Sequence, residues 1–273
     1  MSDDDKIAPG AALPDVVRRI RARTPARIFV ERGASYSTGM QLDLRNARAN
    51  AVDAVWTEFE LQSDFPADFV SRWGLFEVCT EAETKSQFLL RPDLGRRLDA
   101  SGESVLLERC VKAPDFQIVI GDGLSGAALA AQVPPLFPRL VDRALANAWS
   151  VGTTFVVRHC RVGVMNHVGD LLSPRVIVLL IGERPGLATS TSLSAYMAYK
   201  PGASQTDADR NLISNIQAHG VGTESAADRI ISLAAQMMTN ERSGTSLKED
   251  SIRRPKASLN PMDARKNEPE LLK

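Results

Sequence analysis

The chain has only three cysteines, and they lie far apart in the sequence. Cys79, Cys110 and Cys160 are widely spaced, and no C-x-x-C motif is present. Three cysteines at such spacing fit reduced thiols better than a disulfide framework. The composition therefore favours an intracellular protein.

Histidine is equally scarce, and His159, His167 and His219 lack the spacing of metal ligands such as H-E-x-x-H. His159 stands beside Cys160, and a strand end with one exposed and one buried side chain explains this pair better than a zinc site does. The sequence also contains no nucleophile elbow and no histidine with an evident acid partner. Self-contained hydrolytic or metal catalysis is therefore disfavoured.

The chain lacks a charge excess and a long apolar run. Its 33 lysines and arginines balance 33 aspartates and glutamates, whereas a protein that binds nucleic acid usually carries a basic footprint. No apolar run approaches the roughly 20 residues that span a bilayer. The start of the chain, MSDDDKIAPG, lacks the basic and apolar regions of a secretory signal. We expect a soluble cytoplasmic protein with neither a nucleic-acid nor a membrane partner.

The most informative segment is Arg175–Ser190, RVIVLLIGERPGLATS. Its apolar part, Val176–Ile181, shows no polar alternation, which is typical of a central parallel strand buried on both faces. Such strands deliver their carboxyl-terminal loops to the crevice where open α/β sheets bind ligands. Here the loop carries Glu183 and Arg184 between two glycines, and both a ligand contact and a structural ion pair fit these two residues.

From Phe116 onward the pattern alternates between strands and helices, which indicates βα units. The predicted strands are Phe116–Ile120, Thr153–Arg158, Val176–Ile181 and Leu193–Tyr199, the last at or near a sheet edge, and the predicted helices are Gly126–Gln132, Pro134–Trp149, Val164–Leu172 and Ser225–Thr239. The predicted fold class is α/β, with a Rossmann-like, mostly parallel sheet flanked by helices.

A smaller, mainly helical region precedes this sheet. Helices are predicted at Asp15–Ala22 and Gly39–Trp56, and a strand-like patch at Leu75–Thr80. The second helix has an apolar face, formed by Leu42, Leu44, Ala47, Ala51 and Val55. The polar residues from Gly244 onward predict a mobile tail. We divide the chain into a helical region of residues 1–105, an α/β domain of residues 106–243 and a tail of residues 244–273.

The turn Gly121–Ser125 joins a strand to a helix and offers backbone amides to an anionic or polar ligand group. It lacks the full G-x-G-x-x-G and has no G-K-[ST], so it supports dinucleotide binding only weakly. Asp122 fits a ligand contact and a turn equally well, and Ser125 fits a helix N-cap.

Two further polar groups are best explained without a ligand. In the segment Phe88–Leu98, solvated or salt-bridged surface is favoured over a site for an acidic group. Its arginines are Arg91, Arg96 and Arg97. In the segment Asp207–Gln217, turn formation explains the pairs Asp209–Arg210 and Ser214–Asn215.

Six segments of the chain, taken in order, resemble the small (light) subunit of ethanolamine ammonia-lyase. They are RPDLGRRL at Arg91–Leu98, the strand with DGLS at Phe116–Ser125, RVGVMNHVGDLL at Arg161–Leu172, VLLIGERPGL at Val178–Leu187, SLSAYMAY at Ser192–Tyr199 and DADRNLISNI at Asp207–Ile216. The resemblance extends from about Leu89 to Met238.

This resemblance implies a non-autonomous subunit of an adenosylcobalamin-dependent lyase. In the family, a large TIM-barrel subunit binds ethanolamine and holds most catalytic residues, and the corrinoid lies between the two subunits. The implied reaction is the radical deamination of ethanolamine to acetaldehyde and ammonia. The implied location is the cytoplasm, with a bacterial microcompartment as an open alternative.

The family's small-subunit cobalamin contacts correspond to Val162, Glu183 and Leu212. The resemblance implies that Glu183 offers a carboxylate to a polar edge of the corrinoid, and that Val162 and Leu212 supply packing or main-chain contacts. Leu212 stands where relatives often have cysteine, so no role here needs a thiol. The alternatives from the residues are a stand-alone α/β protein that binds a nucleotide or another small molecule, and a subunit whose loops only brace a large partner.

Overall fold

The computed structural model describes Tyr36 and residues 38–249. The helices are α1 (Thr38–Trp56), α2 (Leu61–Asp64), α3 (Ala67–Trp73), α4 (Lys85–Leu90), α5 (Ala100–Arg109), α6 (Gly126–Ala146), α7 (Val164–Leu172) and α8 (Thr223–Asn240). The strands are β1 (Glu77–Cys79), β2 (Phe116–Gly121), β3 (Phe155–Arg158), β4 (Val176–Gly182), β5 (Leu193–Tyr199) and β6 (Asn211–Ile216). The helix predicted at Asp15–Ala22 lies outside the described residues.

These six strands form one sheet in the order β1–β3–β2–β4–β5–β6. The first four pair in parallel, whereas β5 runs antiparallel to both of its neighbours. The α/β class is confirmed, but the sheet is mixed, so the Rossmann-like, mostly parallel arrangement is not confirmed. The reason lies in residues 183–192, which contain no helix. A parallel pairing of β4 and β5 would need a longer crossover connection.

Strand β4 lies inside the sheet, and all seven of its residues are buried, as predicted. Val176, Val178 and Leu180 belong to the core shared with α6 and α8. The alternate residues belong to the core shared with α7 on the other face. Helices therefore cover both faces, and the loops at the strand ends are left to form a site.

The sequence pattern does not predict β6. Turn formation was expected at Ser214–Asn215, but these residues lie in the edge strand that pairs with β5. In β6 only Ile213 and Ile216 are buried, so the regular alternation of a strand is absent. The break is a β-bulge, in which Ser214 and Asn215 both lie opposite Ser194.

Helix α6 is continuous, whereas two helices were predicted on either side of residue 133. Pro134, Pro135 and Pro138 all lie inside it. Each proline removes a backbone donor and disfavours a helix interior. The burial of one side of α6 against the sheet offsets this loss, and Leu129, Leu136 and Leu140 are fully buried there.

The residues after α8 lie against the body of the protein. Asn211 Nδ2 donates hydrogen bonds to the carbonyl oxygens of Gly244 and Leu247, at 3.2 and 2.8 Å. Arg229 forms an ion pair with Glu249 at 2.6 Å. Gly244, Leu247 and Glu249 therefore attach the start of the predicted tail to the body of the protein. The division of the chain at residues 105 and 243 stays a prediction. None of the helices in the described residues is long and apolar enough to cross a membrane.

The loops after β2 and β4 touch each other through their backbones. Leu124 N donates to Gly182 O at 3.2 Å. A Cβ atom on Gly182 would lie 2.1 Å from Ser125 O, closer than non-bonded atoms approach. The two loops therefore form a common surface only because residue 182 has no side chain.

We expect Gly182→Ala to lower the free energy of unfolding by about 1–3 kcal/mol, because one loop must move away from the other. Urea denaturation measures the change. Gly186→Ala is the matched control, since a Cβ at Gly186 meets no atom within 4 Å. This control should leave stability unchanged or raise it by up to about 1 kcal/mol. Equal stabilities of the two variants would contradict the close approach.

Candidate functional site

A cleft of about 390 Å³ lies at the edge of the sheet where β2, β3 and β4 end. The loops after these strands form its floor and one wall, and β5 and β6 contribute the opposite side. Val162, Glu183 and Leu212 all line it. The fold thus brings together the three residues to which the resemblance assigned a common ligand, although they come from three separate segments.

Glu183 is held by the bulged pair of strands beside it. Its Oε1 accepts hydrogen bonds from Ser194 Oγ at 2.6 Å and from Asn215 N at 2.8 Å. Asn215 has a left-handed backbone, with φ of 57°, which turns its N–H toward the carboxylate. Glu183 Oε2 has no hydrogen-bond partner among the described residues. One oxygen of this carboxylate therefore braces the sheet edge, and the other is available to a ligand.

The structural ion pair considered for Glu183 and Arg184 is wrong. No ion pair joins Glu183 to Arg184 within residues 38–249, and Arg184 is exposed at the rim of the cleft. The chain direction reverses after β4, and Glu183 N continues the ladder to Ser192 O at 3.0 Å. Successive side chains of an extended segment point to opposite sides, so the two charges separate.

Leu212 and Val162 give the cleft apolar sides. The side chain of Leu212 lies on β6 and is 45% exposed. Its strand partner, Tyr196, also lines the cleft. Burial, with a smaller effect of Glu183, raises the pKa of Tyr196, so its hydroxyl stays protonated near neutral pH. Val162 is partly buried and packs on the core beneath the sheet.

Arg161 was not predicted as a site residue, but it lines the same cleft. Its Nη2 donates to Phe88 O at 2.8 Å, and its guanidinium carbon lies 4.1 Å from the centre of the Phe88 ring. Arg161 Nε is buried without a hydrogen-bond partner in the part of the chain that the structure describes. Burial lowers the pKa of this guanidinium. The available sequence signal was an arginine beside Val162, shortly after a buried strand.

Asp122 fixes the backbone of the wall that carries Arg161 and Val162. Its Oδ1 accepts from Cys160 N at 2.8 Å, and its Oδ2 accepts from His159 N at 2.9 Å. Burial raises the pKa of Asp122, and the two N–H groups act in the opposite direction. Both carboxylate oxygens are therefore engaged, and a backbone-bracing role describes Asp122 better than a ligand contact.

The predicted arrangement of His159 and Cys160 is wrong in one respect, because both side chains are buried. The positive φ of His159, 53°, turns the chain after β3. His159 Nδ1 lies 2.7 Å from Ala82 O, and its ring stacks on Phe88 with the ring centres 5.8 Å apart. Among the described residues, no group of three or more His, Cys, Asp or Glu side chains is placed to hold a metal ion.

The start of α6 is partly occupied by contacts within the chain. Ser125 is the N-cap, as predicted: its Oγ accepts from Ala128 N at 3.2 Å and donates to Ser190 O at 2.6 Å. Phe59 covers the first turn so closely that a Cβ on Gly126 would lie 2.9 Å from Phe59 Cβ. Among the backbone amides near this turn, Asp122 N and Leu124 N donate to Val157 O and Gly182 O at 3.2 Å each, and Ala128 N is capped by Ser125.

The arginine-rich turn lies outside this cleft. Arg91 pairs with Asp93 at 2.7 Å and Arg97 with Glu81 at 3.5 Å, and all four side chains are largely exposed. Exposed pairs of this kind contribute between zero and about 1 kcal/mol to stability. Both pairs are therefore ion pairs on the surface, which is the interpretation that the sequence favoured.

We expect Asp122→Asn to lower the free energy of unfolding by about 1–3 kcal/mol, since an amide has one acceptor oxygen for two backbone N–H groups. Urea denaturation of the full chain checks this. Asp142→Asn removes the same charge from an exposed position on α6 and should change stability by less than about 0.5 kcal/mol. Equal effects of the two substitutions would show that Asp122 does not brace the wall.

Comparison with known proteins agrees with the six-segment resemblance. Residues 14–248 match the family described as "Ethanolamine ammonia-lyase light chain (EutC)". The chain is 38% identical over 230 residues to the ethanolamine ammonia-lyase small subunit of Clostridium perfringens, covering 84% of this chain and 76% of the relative. It is 34% identical over 230 residues to the small subunit of Clostridium acetobutylicum, covering 84% of this chain and 93% of the relative. The chain belongs to the ethanolamine ammonia-lyase small-subunit family.

Proposed function

We propose that the cleft holds an edge of adenosylcobalamin at the interface with a large catalytic subunit. The assembled enzyme would deaminate ethanolamine to acetaldehyde and ammonia. One observation carries the proposal: Val162, Glu183 and Leu212, to which the resemblance assigns the cobalamin contacts, meet in one cleft.

The chemistry of the cleft fits the periphery of a corrinoid. Amide side chains on that periphery carry N–H donors, and Glu183 Oε2 offers an unused carboxylate acceptor. Such charge-assisted hydrogen bonds are stronger than neutral ones. Val162 and Leu212 offer apolar surface to the ring edge beside this acceptor.

The size of the cleft also fits a shared cofactor. A volume of about 390 Å³ is too small to enclose a whole corrinoid with its nucleotide. Cofactor sites bury most of their ligand's surface, so a second polypeptide must cover the remainder. This supports a large-subunit partner that closes the site from the other side.

The residues of this chain bind and orient the cofactor. When bound, adenosylcobalamin supplies the radical chemistry, as is usual for cofactor enzymes of this type. Asp122 holds the backbone that presents Val162, and Ser194 with Asn215 holds the carboxylate of Glu183. A rigid edge of this kind positions the reactive axis of the cofactor against the partner subunit.

We expect lyase activity only from the complex of this chain with a large subunit. The two chains are co-expressed, and acetaldehyde release from ethanolamine is measured with and without adenosylcobalamin. Each chain alone serves as a control and should be inactive. An assembled complex that releases no acetaldehyde would contradict the proposed reaction, as would full activity of this chain by itself.

We expect Glu183→Ala to weaken cobalamin binding to the complex by about 1–3 kcal/mol, or roughly 5- to 150-fold in Kd, since a buried ligand donor loses its acceptor. Titration followed by the cobalamin absorbance measures Kd, and gel filtration checks assembly. Glu108→Ala, which removes an exposed carboxylate from α5, is the matched control and should bind normally.

Ser194→Ala distinguishes the roles of the two carboxylate oxygens of Glu183. This variant removes one hydrogen bond to Oε1 and leaves Oε2 in place. A smaller loss of affinity than that of Glu183→Ala supports direct contact through Oε2. Normal affinity in Glu183→Ala with intact assembly would show that this loop only braces the large subunit.

A further inference from the structure

Arg161, on the wall of the cleft, carries hydrogen-bond donors that the described part of the chain does not use. Its guanidinium has five N–H donors and keeps its charge at neutral pH. Nη2 donates to Phe88 O at 2.8 Å. Nε is buried, and neither Nε nor Nη1 has a hydrogen-bond partner within residues 38–249. This cation therefore has donors left for a group that enters the cleft.

The carboxylates of the chain do not satisfy this cation. Within residues 38–249, Arg161 forms no ion pair with Glu183 or with another carboxylate. Asp122 acts on it electrostatically, but both oxygens of Asp122 accept from backbone N–H groups. When a ligand and a partner close the cleft, the guanidinium loses water, and a buried charge without a partner is costly. The occupant of the cleft must therefore supply an acceptor.

The side chain of Arg161 is held by contacts within the chain. Its guanidinium carbon lies 4.1 Å from the centre of the buried Phe88 ring. A Cβ on Gly95 would lie 2.7 Å from Arg161 Cγ, so the stem of the arginine packs directly on that glycine. Arg161 N donates to Gly95 O at 2.8 Å and fixes the backbone as well. A donor that is already fixed loses little conformational freedom on binding.

We propose that Arg161 donates to an acceptor oxygen of the corrinoid and is a second polar anchor beside Glu183, a role that rests on the proposed function. Glu183 offers an acceptor from the loop after β4, and Arg161 offers donors from the loop after β3. The carbonyl oxygen of a peripheral amide and the phosphate of the nucleotide loop are the two sources of such an oxygen. Two separate anchors prevent rotation of the ring in its own plane, which a single anchor does not.

Arg161→Gln tests this contact in the complex with the large subunit. Because a charge-assisted hydrogen bond is lost, Kd for cobalamin should rise roughly 10-fold or more. Titration followed by the cobalamin absorbance measures Kd, and gel filtration checks assembly. Arg161→Lys keeps the charge and should recover part of the affinity. Arg109→Gln is the matched control, since the Arg109 guanidinium lies 4.0 Å from the Phe76 ring centre outside the cleft. This control should bind cobalamin normally.

A set of corrinoids distinguishes a direct contact from a structural role. The set consists of cobalamin, cobinamide, which lacks the phosphate and the base, and the derivatives in which one amide is hydrolysed to a carboxylate. If the acceptor is the phosphate, Arg161→Gln leaves the affinity for cobinamide unchanged. If it is an amide carbonyl, the substitution raises Kd most for one carboxylate derivative, because that derivative loses an ion pair. Either result supports the contact and identifies the oxygen.

Three results would overturn the contact. The first is an unchanged Kd for cobalamin in Arg161→Gln. The second is an equal loss for every corrinoid in the set, which indicates that Arg161 only supports the wall. The third is loss of assembly with the large subunit, which assigns Arg161 to that partner. In all three cases Glu183→Ala still tests the proposed function separately, whereas a wild-type complex that binds no cobalamin would overturn both proposals.

Discussion

Two hydrogen bonds that the Asp122 carboxylate accepts from backbone N–H groups after β3 hold the cleft in shape. They join the end of β2 to the turn at His159 and Cys160. His159 has a positive φ, which is uncommon for a residue other than glycine. The next two residues, Arg161 and Val162, form the wall of the cleft. A buried carboxylate with two backbone donors is stable only while both bonds persist. The position of the wall therefore depends on this one side chain.

Glu183 plays the corresponding role on the other side of the cleft. Its Oε1 closes the β-bulge between β5 and β6, and its Oε2 stays available. One carboxylate thus combines a structural role with the ligand contact proposed above. A residue that is fixed by its neighbours loses little conformational freedom when a ligand arrives, and this favours binding. The same bulge places Leu212 beside Glu183 on the edge strand.

The sequence predicts the elements better than their arrangement. Strands β2 to β5 and helices α1, α7 and α8 were predicted near their observed bounds, because their apolar periods are regular. Strand β6 was not predicted, since its bulge and its exposed edge interrupt the period. The continuity of α6 was not predicted either, because local proline signals oppose the packing that holds it together. Those failures arise where long-range contacts outweigh local preference.

By itself, the sequence determined the α/β class, the buried character of Val176–Ile181 and, through six ordered segments, membership of the ethanolamine ammonia-lyase small-subunit family. Only the tertiary structure decided that β5 reverses direction and that both oxygens of Asp122 are engaged within the chain. It also decided that one oxygen of Glu183 accepts hydrogen bonds from Ser194 and Asn215. The physical reason is that periodicity records which face of an element is buried, whereas hydrogen-bond partners come from distant segments that meet only after folding.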